Sequence, residues 1–246
     1  MSTWLRDQCP SNNPSEQGMR RNAWRGLRAQ EQKCVYRTLR RASQAAAILV
    51  ISAVHPALAG TPSPAPASPP DVSEILRASG EAGPTLAWIE FCEQNPRECM
   101  IDLSEPDTIP LTDTTWIALQ EVNTHVNRTI AAVPDQDHWG VVDRWDYPDD
   151  GLGDCEDIQL LKRRLLVERG LPQRAMRMTV VIDELGAGHA VMRVRTDRGD
   201  LILDNKRDAV LSWQQTGYVY VKGEGADGKA WVWFGDQLAP TATAAR

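Results

Sequence analysis

The sequence predicts an α+β domain, with helices first and an antiparallel sheet second. Three observations carry that expectation. From residue 71 to residue 170 apolar residues recur at helical spacing, whereas from 176 onward they recur in short runs of period two. Between the halves stands "GDCED", residues 153–157, a cysteine among three carboxylates at the mouth of a helix.

The first 59 residues are set aside from the fold. Residues 1–41 hold nine Lys/Arg against three acids, followed by the apolar run Ala45–Val54 and by Ala57-Leu58-Ala59. A positive segment, a short apolar core and an A-x-A site predict a cleaved secretory signal over 1–59, with Met19 or a later residue as an alternative start. A membrane anchor is the competing reading, but this run, ended by His55-Pro56, falls well short of the ~20 residues a bilayer needs. No membrane span is therefore expected after cleavage. A Pro/Ala/Ser linker follows over 60–70, and the folded domain is expected over 71–246, with no internal repeat.

Within the domain, "DVSEILRAS" (71–79) and "TLAWIEFCEQNP" (85–96) read as helices. Cys92 and Cys99 bracket "EQNPRE" and are expected to pair in an oxidising compartment; a metal site is the alternative, but no His or second cysteine pair stands nearby. A long helix from Thr114 sets Trp116, Leu119, Val122, Val126 and Ile130 on one stripe, and residues 134–153 then break the pattern as a loop. Asp154 occupies an N-cap position and Cys155 the first helical one. Ile158, Leu161 and Leu165 share a face of that helix, and Gly170 and Pro172 stop it. Strands are expected at 176–184, 189–196, 200–205, 218–224 and 230–235, arranged as a meander.

Removing residues 1–59 takes away nine of 27 basic and three of 33 acidic residues, leaving a net charge of −12. Such a charge argues against nucleic acid and an anionic membrane surface as partners and leaves carboxylates to spare for a cation.

Acid neighbours raise a thiol's pKa and blunt it as a nucleophile, whereas a helix N-terminus favours the thiolate. An activated thiolate still needs a base. Of the four histidines, His55 lies in the signal, His125 on a polar helix face and His138 in the loop, while His189 opens a strand behind Gly186 and Gly188. Asp204 on the next strand can orient the imidazole. A two-residue turn at Arg198-Gly199 would set Asp208 opposite His189 and Asp204 opposite Arg193. Asp204 then shares the face of His189 but sits four residues, roughly 13 Å, along the sheet, so Asp208 is an equal candidate on spacing. A helix-starting cysteine and a strand-end histidine each have a plain packing explanation; their order on successive elements favours catalysis. The Cys155 backbone N–H needs a second donor to complete an oxyanion hole, and Trp145 or His138 could supply it from the loop.

"GDCEDIQLLKRRLLVERGLP" and "GHAVMRVRTDRGDLILDN" resemble the bacterial transglutaminase-like cysteine peptidases, and so do "FCEQNPREC", "VNTHVNRTI" and "HWGVVDRW". The likeness covers nearly all of 85–215. It implies a papain/transglutaminase-like fold with the nucleophile at a helix N-terminus packed on the sheet. It also implies a triad of Cys155 as nucleophile, His189 as base and Asp204 as orienter. The best-known members are periplasmic, calcium-dependent endopeptidases that release a biofilm adhesin and are sequestered by an inner-membrane cyclic-di-GMP receptor. By that resemblance Asp154, Glu156 and Asp157 hold Ca²⁺, with Asp143, Asp146, Asp149 and Asp150 as further candidates. Without a metal, the same acids would serve as an N-cap and as complements to the helix dipole. Two other functions fit the same scaffold: transglutaminase-type amide transfer, and a catalytically idle envelope binding module.

Overall fold

The computed structural model describes residues 68–225 and 231–238. The expected signal (1–59), the linker (60–70) except its last three residues, and Ala230 lie outside the described residues.

The segment 71–79, expected as a helix, has no regular secondary structure and leads into β1 (Gly80–Ala82). Its backbone is held from outside. Ser73 N–H donates to Arg198 O at 2.8 Å, Leu76 N–H to Asp200 Oδ2 at 2.9 Å and Ser79 N–H to Trp233 O at 2.7 Å. The Trp213 indole donates to Glu74 O at 2.8 Å. Val72 and Ile75 are exposed and only Leu76 is buried, so a helix here would bury little to compete with those bonds.

The remaining helices follow the expected order. Thr85 caps α1 (Leu86–Gln94), its hydroxyl accepting from Trp88 N–H at 3.2 Å. The single turn α2 (Pro96–Cys99) comes next, and Cys92 and Cys99 form a disulfide with Cα atoms 5.7 Å apart. Thr112 caps α3 (Asp113–Thr129), which buries Trp116, Leu119, Val122, Asn123 and Val126. Two short elements interrupt the expected loop, α4 (Asp135–His138) and β3 (Leu152–Gly153); β3 pairs in parallel with β2 (Ala131–Ala132), which precedes the loop. The central helix α5 (Cys155–Glu168) follows at once.

The sheet comprises β1, β4 (Met176–Ile182), β5 (Gly188–Thr196), β6 (Gly199–Leu203), β7 (Leu211–Ser212), β8 (Val219–Glu224) and β9 (Trp231–Leu238). Among the described residues its order is β1-β9-β8-β4-β5-β6-β7, and every pairing is antiparallel. The expected meander holds from β4 to β7 and again from β8 to β9, and breaks between β7 and β8. After two residues β7 gives way to a 3₁₀ turn, Trp213–Gln215, whose Trp213 buries edge-on against Tyr220. The chain then returns to pair β8 with the other edge of β4.

One face of the sheet, with Met176, Met192, Val194, Leu201 and Leu203, packs on α3 and α5. The other, with Val181, Val191, Ile202, Tyr218 and Tyr220, is covered by Leu76 and Trp213. Ile158 and Leu166 of α5 join the first core, and Leu160 packs with Trp88, Phe91 and Trp145 in another. Each such side chain contributes ~2 kcal/mol on burial. That clamp fixes where α5 begins although its first turn carries two buried acids, Glu156 and Asp157.

Candidate active site

Cys155 opens α5 and is fully buried against Ala190. Its Sγ accepts from Ala190 N–H at 3.4 Å and donates to Glu156 Oε2 at 3.1 Å. Asp154 takes the expected N-cap position with extended backbone, but its side chain makes no capping bond. It accepts from Asp135 N–H instead, at 3.3 Å.

His189 is the second residue of β5, and the turn before it is rigidly built. Asp183 Oδ1 accepts from Leu185 N–H at 2.9 Å and Ala187 N–H at 2.8 Å, and Gly186 takes a φ of 81° that disfavours any side chain. His189 Nε2 meets Asp204 Oδ1 at 2.9 Å, with both side chains buried. Tyr218 donates its hydroxyl to Asp204 Oδ2 at 2.5 Å and packs edge-on to the imidazole.

The expected β5–β6 register is corrected by two residues. Thr196 pairs with Gly199 and Met192 with Leu203, so the turn sits at Asp197-Arg198. Continued past Leu203, this register leaves Asp204 two residues from His189, about 7 Å rather than 13, with parity preserved. The slip follows from the hydroxyl of Thr196, which accepts from Arg198 N–H at 3.1 Å and donates to Gly199 O at 2.7 Å, closing the turn one step earlier. Asp208, the rival orienter, instead faces Arg128 at 3.2 Å on the surface.

Helix α3 holds the turn that carries Asp204. Asn123 Oδ1 accepts from Asp204 N–H at 3.2 Å, and Asn127 Nδ2 donates to Asp204 O at 3.0 Å. Sequence reasoning missed Asn123, Asn127 and Tyr218. Two asparagines four residues apart beside a buried stripe are a usable signal; Tyr218 offers none.

The charges agree with the geometry. Burial alone would depress His189, but the Asp204 hydrogen bond and the neighbouring Cys155 thiol outweigh that and raise it to about 9. Burial works against the charge of Asp204 too, yet the His189 bond, the imidazolium charge and Tyr218 hold its carboxyl well below the usual range. With Nε2 committed to Asp204, Nδ1 is the ring atom left to serve the thiol.

Both donors expected for the oxyanion from the loop carry bonds of their own, although His138 Nδ1 is buried without a hydrogen-bond partner. Trp145 donates to Asp143 Oδ1 at 3.1 Å from within an aromatic cluster, and His138 Nε2 pairs with Asp150 Oδ2 at 2.9 Å.

Beside the thiol lie five carboxylates in two overlapping groups. Asp135, Asp154 and Asp157 present oxygens within 4.8 Å of one another, and so do Asp135, Asp143 and Glu156. Asp135 belongs to both and was missed in the sequence. The β2–β3 bridge brings it beside Asp154, a contact no spacing rule reveals. Burial, reinforced by neighbouring acids, raises Asp143 to about 6, Asp154 to about 7 and Asp157 to about 9; it raises Asp135 and Glu156 as well. Asp135 Oδ1, Asp154 Oδ1 and Glu156 Oε1 are buried without a hydrogen-bond partner. A cluster of hard oxygen donors with unsatisfied atoms fits a calcium ion better than it fits helix capping. Of the other loop candidates, Asp146 pairs with Arg144, Asp149 with Arg164 and Asp150 with His138.

The family model described as bacterial transglutaminase-like cysteine proteinase (BTLCP) matches residues 78–238. Among solved structures, the chain is similar to Legionella pneumophila LapG, at 26% identity and a TM-score of 0.42, covering 48% of this chain and 68% of that one. It is also similar to calcium-bound LapG, at 24% identity and a TM-score of 0.43, covering 55% and 76%. The EGTA-treated form gives 26% identity and 0.41, covering 48% and 67%. No curated protein matches significantly. The family match spans most of the 246 residues and includes every member of the buried Cys155, His189 and Asp204 group, so the chain belongs to the bacterial transglutaminase-like cysteine proteinases and is a cysteine peptidase.

Proposed function

We propose that this chain is a calcium-dependent cysteine endopeptidase of the periplasm, acting on a cell-envelope protein such as a biofilm adhesin. The observation that carries the reading is the buried line from the helix-start thiol of Cys155 through His189 to Asp204. Sγ attacks the peptide carbonyl carbon and its proton resides on His189, whose raised pKa favours the imidazolium. His189 then protonates the leaving amine as the C–N bond breaks, and Asp204 steadies the ring throughout. Water attacks the thioester with His189 as base, which releases the acid and restores the thiol. The Cys155 backbone N–H, at the N-terminus of α5, is one donor for the developing oxyanion.

Asp135, Asp154 and Asp157, with Asp143 and Glu156 adjoining, would hold the cation. Bound there, it supplies positive charge against five buried carboxylates. The secretory pattern in residues 1–59 and the Cys92–Cys99 disulfide support an oxidising periplasm. Among the described residues no helix is long and apolar enough to cross a membrane. By family likeness, an inner-membrane cyclic-di-GMP receptor is the proposed sequestering partner.

The test is incubation of purified protein with bacterial envelope fractions, with calcium or with EGTA. A shortened envelope protein released only with calcium, and not by Cys155→Ser, is expected. Transfer of a fluorescent amine to glutamine without cleavage would instead show acyl transfer, and binding without either reaction would show an idle module.

A further inference from the structure

Lys162 is fully buried on α5, two turns along from Cys155, and its Nζ has no hydrogen-bond partner. An ammonium group buried this way is costly, and packing alone does not explain it. Cys155, Gln159 and Lys162 follow one another at helical spacing along one stripe of α5. The stripe faces the turn at residues 204–208. Gln159 Nε2 donates to Asn205 Oδ1 at 3.4 Å, and the charges acting on Lys162 are those of Asp204 and Asp208. Asp208 already meets Arg128 at the surface, whereas Asp204 is buried and has His189 as its sole ion-pair partner among the described residues. Whenever His189 gives up its proton, Asp204 is left as a buried anion.

We propose that Lys162 is a positioning residue for the active site, its buried charge acting through the protein interior on the Asp204 carboxylate and keeping the 204–208 turn seated beneath His189. The proposal rests on the reading of Cys155, His189 and Asp204 as the catalytic group. Two further orphaned atoms, Gln159 Oε1 and Asn127 Oδ1, belong to side chains that also bond this turn, so a polar seam from α3 and α5 surrounds it. Burial lowers Lys162 to about 7, against the pull of Asp204 and Asp208.

The test is the rate of Cys155 alkylation by iodoacetamide in calcium, at about pH 6 where Lys162 is charged. Wild type, Lys162→Met, Asp204→Asn and the double variant are compared, with His189→Ala as control. Lys162→Met should slow labelling about tenfold in wild type, and less than about twofold once Asp204 is already neutral. Its melting temperature should hold, since an apolar isostere replaces an unpartnered charge. Equal slowing in both backgrounds, no slowing, or loss of the fold overturns the positioning role and leaves the triad standing. Full-rate labelling of His189→Ala overturns the triad itself.

Discussion

Raising the pH should destabilise the calcium-free protein, and calcium should remove most of that loss. Asp154 shows the size of the effect. Burial first, and the charge of Asp135 second, raise it from 3.8 to about 7. Between those values the native state binds more protons than the unfolded one, so stability falls as pH rises and the full penalty is present above about 7. At about 1.36 kcal/mol per pH unit, the penalty is ~4 kcal/mol. Asp157, raised to about 9, carries the decline further into the alkaline range. Because these acids act on one another, the effect of one group is the appropriate scale, not their sum. For a domain of this size ~4 kcal/mol corresponds to about 10 °C in Tm. Calorimetry from about pH 5 to about pH 8 should show a falling Tm in EGTA and a level or rising Tm in calcium, because the ion takes the ionised acids. A level Tm in EGTA, or a calcium effect equal at both ends of the range, would refute the reasoning.

Four shorter predictions follow. Asp135→Asn should weaken calcium binding tenfold or more in calorimetric titration, while Asp149→Asn, on the exposed rim, should leave it unchanged. Gly153→Ala should weaken it too, because the new Cβ would stand 2.9 Å from Asp157 Cβ and 3.0 Å from Pro148 Cβ. Replacing both Cys92 and Cys99 by Ser should cost about 2–3 kcal/mol, as loss of a short-loop crosslink does, seen in urea melts with Cys155 labelling intact. His189, raised to about 9, contributes stability that is full below its ordinary 6.5 and lost as pH rises through about 9; its activity profile should fall near that same pH, and Asp204→Asn should move the fall toward 6.5.

Local rules were enough to place the helix starts at Thr85 and Asp154 and the strands around His189, because caps, glycines and apolar period act over a few residues. They failed where distant contacts decide. Segment 71–79 has helical composition, but its backbone bonds to Arg198, Asp200 and Trp233 in place of a helical ladder. The return of β8 to β4 depends on Trp213 finding the far face of the sheet, which period-two patterning does not encode. The site divides in the same way. Cys155, His189 and the acids beside the thiol were legible from their order, and the family likeness chose Asp204 over Asp208. Asp135 was not legible, because a two-residue parallel bridge brings it across 19 positions. The choice of Asp204 has its physical basis in a hairpin register set by one threonine hydroxyl.

The central claim is that His189 activates Cys155. Labelling by iodoacetamide at about pH 7 in calcium, followed by peptide mass spectrometry, tests it most directly. Wild type should be modified at Cys155, His189→Ala at least about a hundredfold more slowly, and Cys155→Ser not at all, in keeping with loss of a general base. Equal rates for wild type and His189→Ala would contradict the account.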